Sequence, residues 1–286
     1  MTQTNLAKTA ETPRLIDGDV SIELAPEMVA KFHPDPGLLP AGSKVFLTHL
    51  SGKDPAIQVA AARGLLDMGY VPVVHIGARN FDSEAAFVSF IQAHRANGVT
   101  HGLFLGGNPL KYKGPLGQAL DLLSHPVMQD SGFTDAFISG YPEGHPDISV
   151  DSLDEARARK IERCRLIGLA PQIVTQFAFD GGTMAAWTAR MQRLHPDVPV
   201  RLGLAGVTSL PKLIKFAVMC GVGPSIAVLK KNSGGLLNVL TDKDPSDVIA
   251  AIEANLPVAR GRTDLHFFPF GGWEKTLRWI SEARRS

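Results

Sequence analysis

Cysteine is scarce in this sequence, and its scarcity excludes several kinds of protein. Among 286 residues only Cys164 and Cys220 are cysteines. Two thiols so far apart in the chain provide neither a disulfide framework nor the ligand set of a metal site. We therefore expect buried thiols, no bound metal and a reducing, cytoplasmic location.

Net charge and long apolar runs are missing as well. The 29 Lys and Arg balance 28 Asp and Glu, which disfavours nucleic acid or an anionic membrane as a partner. No apolar run approaches the length of a membrane-spanning helix. Residues 1–12 lack the apolar core of a secretory signal, so we expect a flexible tail there. No proline- or glycine-rich linker divides residues 13–286, which we expect to form a single catalytic domain.

Short apolar runs alternate with longer amphipathic segments along the whole chain. Continuously apolar runs are typical of parallel strands that are covered on both faces. They predict strands at 20–24, 45–49, 72–76, 102–105, 135–139, 172–177, 200–204 and 265–268. The intervening segments predict helices at 55–68, 83–97, 115–124, 153–167, 183–194, 210–219 and 272–284. About eight βα units indicate a (β/α)8 barrel, with a doubly wound open sheet as the alternative.

Two regions depart from this regular alternation. Residues 26–42 contain too many prolines for one clean helix, so we expect an irregular first βα unit. Residues 221–247 hold a further apolar stretch and a glycine pair, which predict extra helices or a lid near the barrel mouth. For the helix predicted at 153–167, Asp151 is the expected N-terminal cap.

Polar residues stand where the predicted strands end. If the barrel is correct, these positions meet at its carboxyl end, where ligands bind. They include Thr48, His75 and Gln176, and the segment 140–146, GYPEGHP, after the fifth strand. The prolines stiffen this loop, and Gly144 allows a positive φ or a close approach to a ligand. An ordinary proline-rich turn with solvated side chains is the alternative interpretation.

Glu23 interrupts an apolar strand and is the candidate general acid. Burial in apolar surroundings raises the pKa of a carboxyl group, so that it stays protonated near neutral pH. The alternative is an ion pair with a Lys or Arg at an irregular edge. Gln176 offers an amide donor and acceptor for a heterocycle, or else closes the barrel rim. His75 and His145 have no ligand residues nearby in sequence that would support a metal site.

At these residues the chain resembles the methylenetetrahydrofolate reductase family. The most specific match is the segment 140–146. The second is IVTQFAFD at 173–180, which is similar to the family's T-Q-F-F-F-D, and VSIE at 20–23 is similar to its S-F-E strand. The resemblance spans most of the chain, with low density between these segments.

The resemblance implies a (β/α)8 barrel that uses NADH or NADPH to reduce 5,10-methylenetetrahydrofolate to 5-methyltetrahydrofolate in one-carbon metabolism, or runs the reverse oxidation in a demethylation pathway. Usual members relay the hydride through FAD and associate as homo-oligomers. Glu23 is then the acid that protonates the amine departing as the imidazolidine ring opens. Gln176 and Asn108 take the positions of folate-binding residues. The implied cofactor-binding positions are Thr48, His75, Tyr141, His145, Lys160 and Arg163.

Several positions differ from the family pattern. Where flavin-containing members have R-G-D after the fourth strand, this chain has Gly106, Gly107 and Asn108, so both charges are gone. Cys164 stands where a lysine is usual, and Leu210 replaces an aromatic residue. Two interpretations follow: FAD binds through altered contacts, or nicotinamide and folate meet directly with no flavin between them.

Two other classes of function stay open. A barrel lyase or aldolase would use Lys230 or Lys231 as a Schiff-base former, although adjacent lysines more often form a solvated loop. A non-catalytic folate-binding relative would keep the scaffold without the reaction. Phe270 and Trp273, which follow the last strand, are interpreted as core packing, with stacking on the aminobenzoyl ring of a folate as the alternative.

Overall fold

The computed structural model describes residues 14–50, 52–107, 114–219, 222, 242–256 and 262–286. Asn108, Cys220, Lys230, Lys231 and the expected tail at 1–12 lie outside the described residues. The predictions made for them are therefore not tested by the fold.

Eight parallel strands close into a barrel, in the order in which they follow along the chain. They are β1 (Val20–Leu24), β2 (Lys44–Leu47), β3 (Val71–Gly77), β4 (His101–Leu105), β5 (Asp135–Gly140), β6 (Ala170–Thr175), β7 (Val200–Ala205) and β8 (Thr263–Phe268). The last strand pairs with the first, Val20 opposite Leu265. The predicted (β/α)8 barrel is therefore confirmed, and the open sheet is not the fold.

Helices pack around the barrel between the strands. They are α1 (Pro55–Asp67), α2 (Glu84–Ala96), α3 (Ala119–Ser124), α4 (Val150–Leu166), α5 (Gly181–Leu194), α6 (Leu210–Met219), α7 (Ser246–Asn255) and α8 (Trp273–Arg285). The first unit is irregular as expected, since only a 3-10 helix, Pro26–Lys31, joins β1 to β2. Helix α7 is an additional helix before β8. The expected cap of α4 is wrong, because Ser149 accepts the N-terminal hydrogen bond and Asp151 lies in the first turn.

The core has two layers, one between strands and helices and one inside the barrel. Side chains on a strand alternate between these layers. The interior is filled by a cluster of five buried residues, one from each of five consecutive strands: Phe46, Val73, Leu103, Phe137 and Val174. Because this cluster fills the middle of the barrel, chemistry is confined to its two ends.

Candidate active site

Glu23 lies near the carboxyl end of β1, with its side chain among residues of the barrel interior. Only 20% of its side-chain surface is exposed, and burial raises the pKa of its carboxyl group to about 8. Its Oε2 lies 3.4 Å from His75 Nε2 and 4.0 Å from His266 Nε2. The partners that face Glu23 are thus imidazoles, whereas the alternative interpretation required a Lys or Arg.

Both imidazoles beside Glu23 are uncharged at neutral pH. Burial, with a smaller contribution from the charge of His49, lowers the pKa of His75 to about 3. Burial also places the pKa of His266 well below its ordinary value. The Nε2 atoms of His75 and His266 are buried and have no hydrogen-bond partner among the described residues. The site therefore combines a protonated acid with two unpaired, neutral ring nitrogens.

The other ring nitrogen of His266, Nδ1, contacts a serine on the side away from Glu23. His266 Nδ1 lies 2.9 Å from Ser21 Oγ, and Arg201 Nη1 donates to the same oxygen at 3.2 Å. The Ser21 hydroxyl has a second acceptor, Leu265 O at 3.3 Å. If it donates to His266 Nδ1 instead, the imidazole proton is on Nε2, on the side of Glu23. Ser21 and Arg201 thus connect the acid to the amino end of the barrel.

The loop GYPEGHP starts where Trp187 packs against the backbone. A Cβ atom at Gly140 would lie 2.6 Å from the Trp187 ring, so no other residue fits there without movement. Gly144 has the expected positive φ of 81°. The Tyr141 and His145 rings meet edge to face at 5.3 Å. This conformation makes the loop a defined wall of the site.

Gln176 joins that wall from the next strand. Its backbone N–H donates to Gly140 O at 2.8 Å, and its side-chain Oε1 accepts from Phe177 N at 3.1 Å. A small cavity is lined by the loop together with Gln176: Tyr141, Pro142, Glu143, Gly144, His145, Pro146, Gln176, Phe177, Ala178 and Val222. The structure therefore brings together Tyr141, His145 and Gln176, as the sequence predicted for one end of the barrel.

Thr48 lies at the end of β2, on the other side of the mouth. Its Oγ1 is buried and has no hydrogen-bond partner among the described residues. The adjacent His49 stacks on Phe90 at 5.0 Å and accepts from Gly77 N at 3.2 Å through Nδ1. Thr48 thus keeps a free hydroxyl close to the strand that carries His75.

Two of the predicted cofactor-binding residues, Lys160 and Arg163, lie on α4. Arg163 donates to the carbonyls of Leu123 and Ser124 at 3.1 and 3.5 Å, at the end of α3. Lys160 is half-buried, and burial, assisted by the charge of Arg157, lowers its pKa to about 8. The described contacts do not bring Arg163 to the barrel mouth, so its role as a cofactor ligand stays a prediction.

A cation that the sequence analysis did not predict, Arg79 from the loop after β3, contacts the loop after β4. Arg79 Nη1 donates to Gly107 O at 2.9 Å, and its backbone N–H donates to Gly106 O at 3.0 Å. A side chain at Gly106 would meet the Arg79 guanidinium at 3.4 Å. The two glycines thus leave room for an arginine that arrives from the preceding loop.

Aromatic side chains cover the opposite rim. Phe270 stacks on Phe216 with ring centroids 4.2 Å apart, and it adopts a positive φ of 48°, which is uncommon for a bulky residue. Phe268 contacts the His266 ring at 4.6 Å. Trp273 instead packs on Phe32 at 4.9 Å, in the core as expected.

Fold and site together define a class of protein: a (β/α)8 barrel with a protonated carboxylic acid at the carboxyl end of its strands. No group of three or more metal-ligating side chains occurs within the described residues. In the same part of the chain, no helix is both long and apolar enough to cross a bilayer.

Comparison with known proteins gives this class a relative. The chain is 23% identical over 142 residues to methylenetetrahydrofolate reductase (NADH) 1 of Arabidopsis thaliana. The match covers 46% of this chain and 24% of that protein, so the chain spans about a quarter of the relative's length. No family model matches the sequence.

Solved structures agree on the fold. An uncharacterized protein from Clostridium thermocellum, described as binding two copies of 5-methyl-5,6,7,8-tetrahydrofolic acid, superposes with a TM-score of 0.62 at 12% identity. The superposition covers 94% of this chain and 95% of that one. A phosphonomutase-like structure from Burkholderia cenocepacia reaches a TM-score of only 0.48, and we draw nothing from it. The sequence match supports a divergent relationship to the methylenetetrahydrofolate reductases, and the Clostridium structure shows the same fold.

Proposed function

We propose that this protein catalyses the NAD(P)H-dependent reduction of 5,10-methylenetetrahydrofolate to 5-methyltetrahydrofolate. The observation that carries the proposal is Glu23, a carboxylic acid whose pKa burial raises to about 8 at the carboxyl end of a barrel. A general acid is most effective when its pKa lies near the working pH. The sequence similarity to a reductase and the folate described for the Clostridium protein agree with this substrate class.

The proposed reaction consumes one proton and one hydride. Glu23 gives its proton to the amine nitrogen as the carbon–nitrogen bond of the imidazolidine ring breaks. The methylene carbon is left as an iminium ion, which accepts hydride from the dihydronicotinamide. The products are 5-methyltetrahydrofolate, NAD(P)+ and the Glu23 carboxylate, which takes a proton from solvent before the next cycle.

The neutral imidazoles affect both the protonated and the ionised form of Glu23. Because His75 and His266 carry no charge, they do not draw the proton off Glu23 before substrate binds. A ring N–H at His266 Nε2 would stabilise the carboxylate that forms during the reaction. An acid with a pKa near neutrality also serves as the base of the reverse oxidation, so the site is compatible with either direction.

Gln176 is the proposed folate contact, and the GYPEGHP loop beside it carries the proposed cofactor-binding residues Tyr141 and His145. Gln176 Oε1 already accepts from Phe177 N, which leaves the amide N–H groups to bind an acceptor of the pterin. Thr48 Oγ1 is buried and unpartnered, and it would bind a polar ligand atom on the facing side. Asn108, the further predicted folate ligand, lies outside the described residues.

We propose direct hydride transfer from the nicotinamide, without a flavin. FAD would require cationic contacts for its phosphates, and the family's candidates for these on α4 are Lys160 and Arg163. Arg163 is engaged by the carbonyl groups at the end of α3, and Lys160 is half-buried. Arg163 in this orientation is not available to the flavin's phosphates, and the R-G-D charges are replaced by Gly106, Gly107 and Asn108.

Two measurements on the purified protein test the proposal. The absorbance spectrum comes first, and a yellow protein with stoichiometric flavin would contradict direct transfer. Oxidation of NADH and of NADPH is then followed with 5,10-methylenetetrahydrofolate, with and without added FAD. We expect turnover that added FAD does not increase. Folate binding without nucleotide oxidation, in either direction, would instead favour a non-catalytic relative.

A further inference from the structure

The hydrogen-bonded pairing of β2 with β3 ends beside the candidate site, just before Thr48 and His75. Pairing of β2 with β3 ends at Leu47 opposite Val74, whereas β3 continues against β4 to Gly77 opposite Leu105. Beyond Leu47 the chain stays bonded to β1, since Thr48 N donates to Leu24 O at 3.1 Å. Carbonyl groups on both sides of the gap therefore lose their ladder partners, and an unpaired buried carbonyl is costly.

A single side chain from outside the barrel supplies the missing donors. The Gln58 amide nitrogen, on α1, lies 3.0 Å from Leu47 O, 3.0 Å from Thr48 O and 3.2 Å from His75 O. Its two hydrogens are shared among three carbonyls, and only 3% of the residue is exposed. Gln58 thus ties together the backbones of Thr48 and His75, the two site residues on either side of the gap.

The orientation of the Gln58 amide is set by His94 on α2. His94 Nε2 lies 3.1 Å from Gln58 Oε1. Because the amide oxygen only accepts, the imidazole proton must be on Nε2. His94 Nδ1 is then a bare nitrogen, in agreement with its having no hydrogen-bond partner among the described residues.

We propose that Gln58 and His94 are positioning residues that set the approach of His75 to Glu23. One of the three carbonyl groups that Gln58 binds belongs to His75 itself, whose Nε2 lies 3.4 Å from Glu23 Oε2. The inference rests on the proposed function for its kinetic readout, and the spectroscopic readout below does not depend on it. A merely structural role, in which Gln58 only satisfies carbonyls, is the competing explanation.

A set of four variants separates these explanations. Gln58→Met removes the donors at nearly constant shape, and His94→Phe removes the N–H that orients the amide. His94→Gln restores a donor at the position of Nε2 and should rescue. Asn97→Leu is the matched control, because Asn97 Nδ2 also donates to a backbone carbonyl of α1, Val59 O at 2.9 Å, and has no contact with the gap.

The readouts are the ring nitrogen resonances of labelled His75, assigned with His75→Gln, and the pH profile of turnover. In Gln58→Met and His94→Phe we expect the His75 resonances to move. We also expect kcat to fall about tenfold to hundredfold, as for a small misplacement of reacting groups. Because His75 is one of the two imidazoles that face Glu23, its displacement should also shift the alkaline midpoint of turnover. His94→Gln and Asn97→Leu should match the wild type in resonances and midpoint.

The outcomes distinguish the two proposals. If Gln58→Met moves the His75 resonances no more than Asn97→Leu does, the positioning role is wrong. If the wild type reduces no folate while the resonances behave as expected, the proposed function fails and the positioning role stands. Should Gln58→Met fail to fold, the comparison of His94→Phe with His94→Gln decides the question.

Discussion

Asp19 directly precedes β1 and Glu23 lies near its end, and the two carboxyl groups have opposite surroundings. Asp19 Oδ2 is 2.7 Å from Arg201 and 3.1 Å from Lys44. Burial alone would raise the pKa of Asp19, but these two cations lower it below its ordinary value. Within the part of the chain that the structure describes, the ionisable groups that face Glu23 are neutral imidazoles, and burial raises its pKa to about 8. One strand thus keeps a charged carboxylate at one end and a protonated acid at the other.

The difference shows which end of the barrel serves stability. At the amino end, buried Arg201 pairs with Asp19 and with Asp264, at 2.7 and 3.1 Å, although its Nε has no hydrogen-bond partner among the described residues. At the carboxyl end, buried ring nitrogens of His75 and His266 have no hydrogen-bond partner among the described residues. Unsatisfied buried polar groups persist mainly where a function needs them. The two ends are about 13 Å apart along the strand, at about 3.3 Å per residue.

The largest expected effect is on turnover. Glu23→Gln keeps the shape of the side chain and removes the transferable proton, so we expect kcat to fall about 100- to 10,000-fold. Folate affinity, measured by titration calorimetry, should change little. Asp19→Asn is the control at the other end of the strand, and it should leave the turnover of the folded protein nearly unchanged. Near-normal turnover in Glu23→Gln would dismiss it as the acid.

The next largest effect is on the free energy of unfolding, through the ion pairs at the amino end of the barrel. Arg201→Met removes a buried cation from two partly exposed carboxylates, so we expect the free energy of unfolding to fall by about 1.5–3 kcal/mol, as for hydrogen bonds to charged groups. Lys44→Met removes the half-buried partner of Asp19 and should cost less than about 1 kcal/mol. Urea unfolding measures both. Equal losses in the two variants would contradict the distinction between a buried and a partly exposed cation.

The smallest effect is a pair of opposite pH slopes. The pKa of Glu23 is raised in the folded state, so ionisation destabilises the fold as pH rises from about 4.5 toward 8. Glu23→Gln should therefore gain stability relative to the wild type across that window. The pKa of Asp19 is lowered, so Asp19→Asn should lose stability at neutral pH and approach the wild type in acid. Parallel slopes in urea titrations at several pH values would contradict the comparison.

The fold was predictable because its pattern is local. Each barrel strand is a short apolar run, and the predicted 20–24 and 210–219 match β1 and α6 as observed. The ends of some strands differ from the prediction. Gln176 lies just beyond β6, which ends at Thr175. At this point the Thr175 side chain, rather than its backbone, bonds β7, since Thr175 Oγ1 accepts from Gly203 N at 2.8 Å. Helix α7, at 246–255, was not among the predicted helices.

The candidate site was predictable only where a residue broke an apolar strand. Glu23 gave that signal, and Arg201 in β7 gave it too but was overlooked. Gln58 also had a signal, because it occupies the buried stripe of α1 with Ala61, Ala62 and Leu65. What it contacts depends on where β2 and β3 separate, which is a property of the closed barrel. Its three carbonyl partners therefore could not be read from the sequence.

The packing of Trp187 on Gly140 has an optical consequence. The indole is 9% exposed, touches the first residue of the GYPEGHP loop, and lies under the Arg157 guanidinium at 5.4 Å. The other tryptophans, Trp273 and Trp279, belong to α8. Ligand binding that displaces the loop should change the emission of Trp187 and leave the α8 fluorescence constant. A protein that keeps only this indole would therefore report occupancy of the site without any assay of turnover.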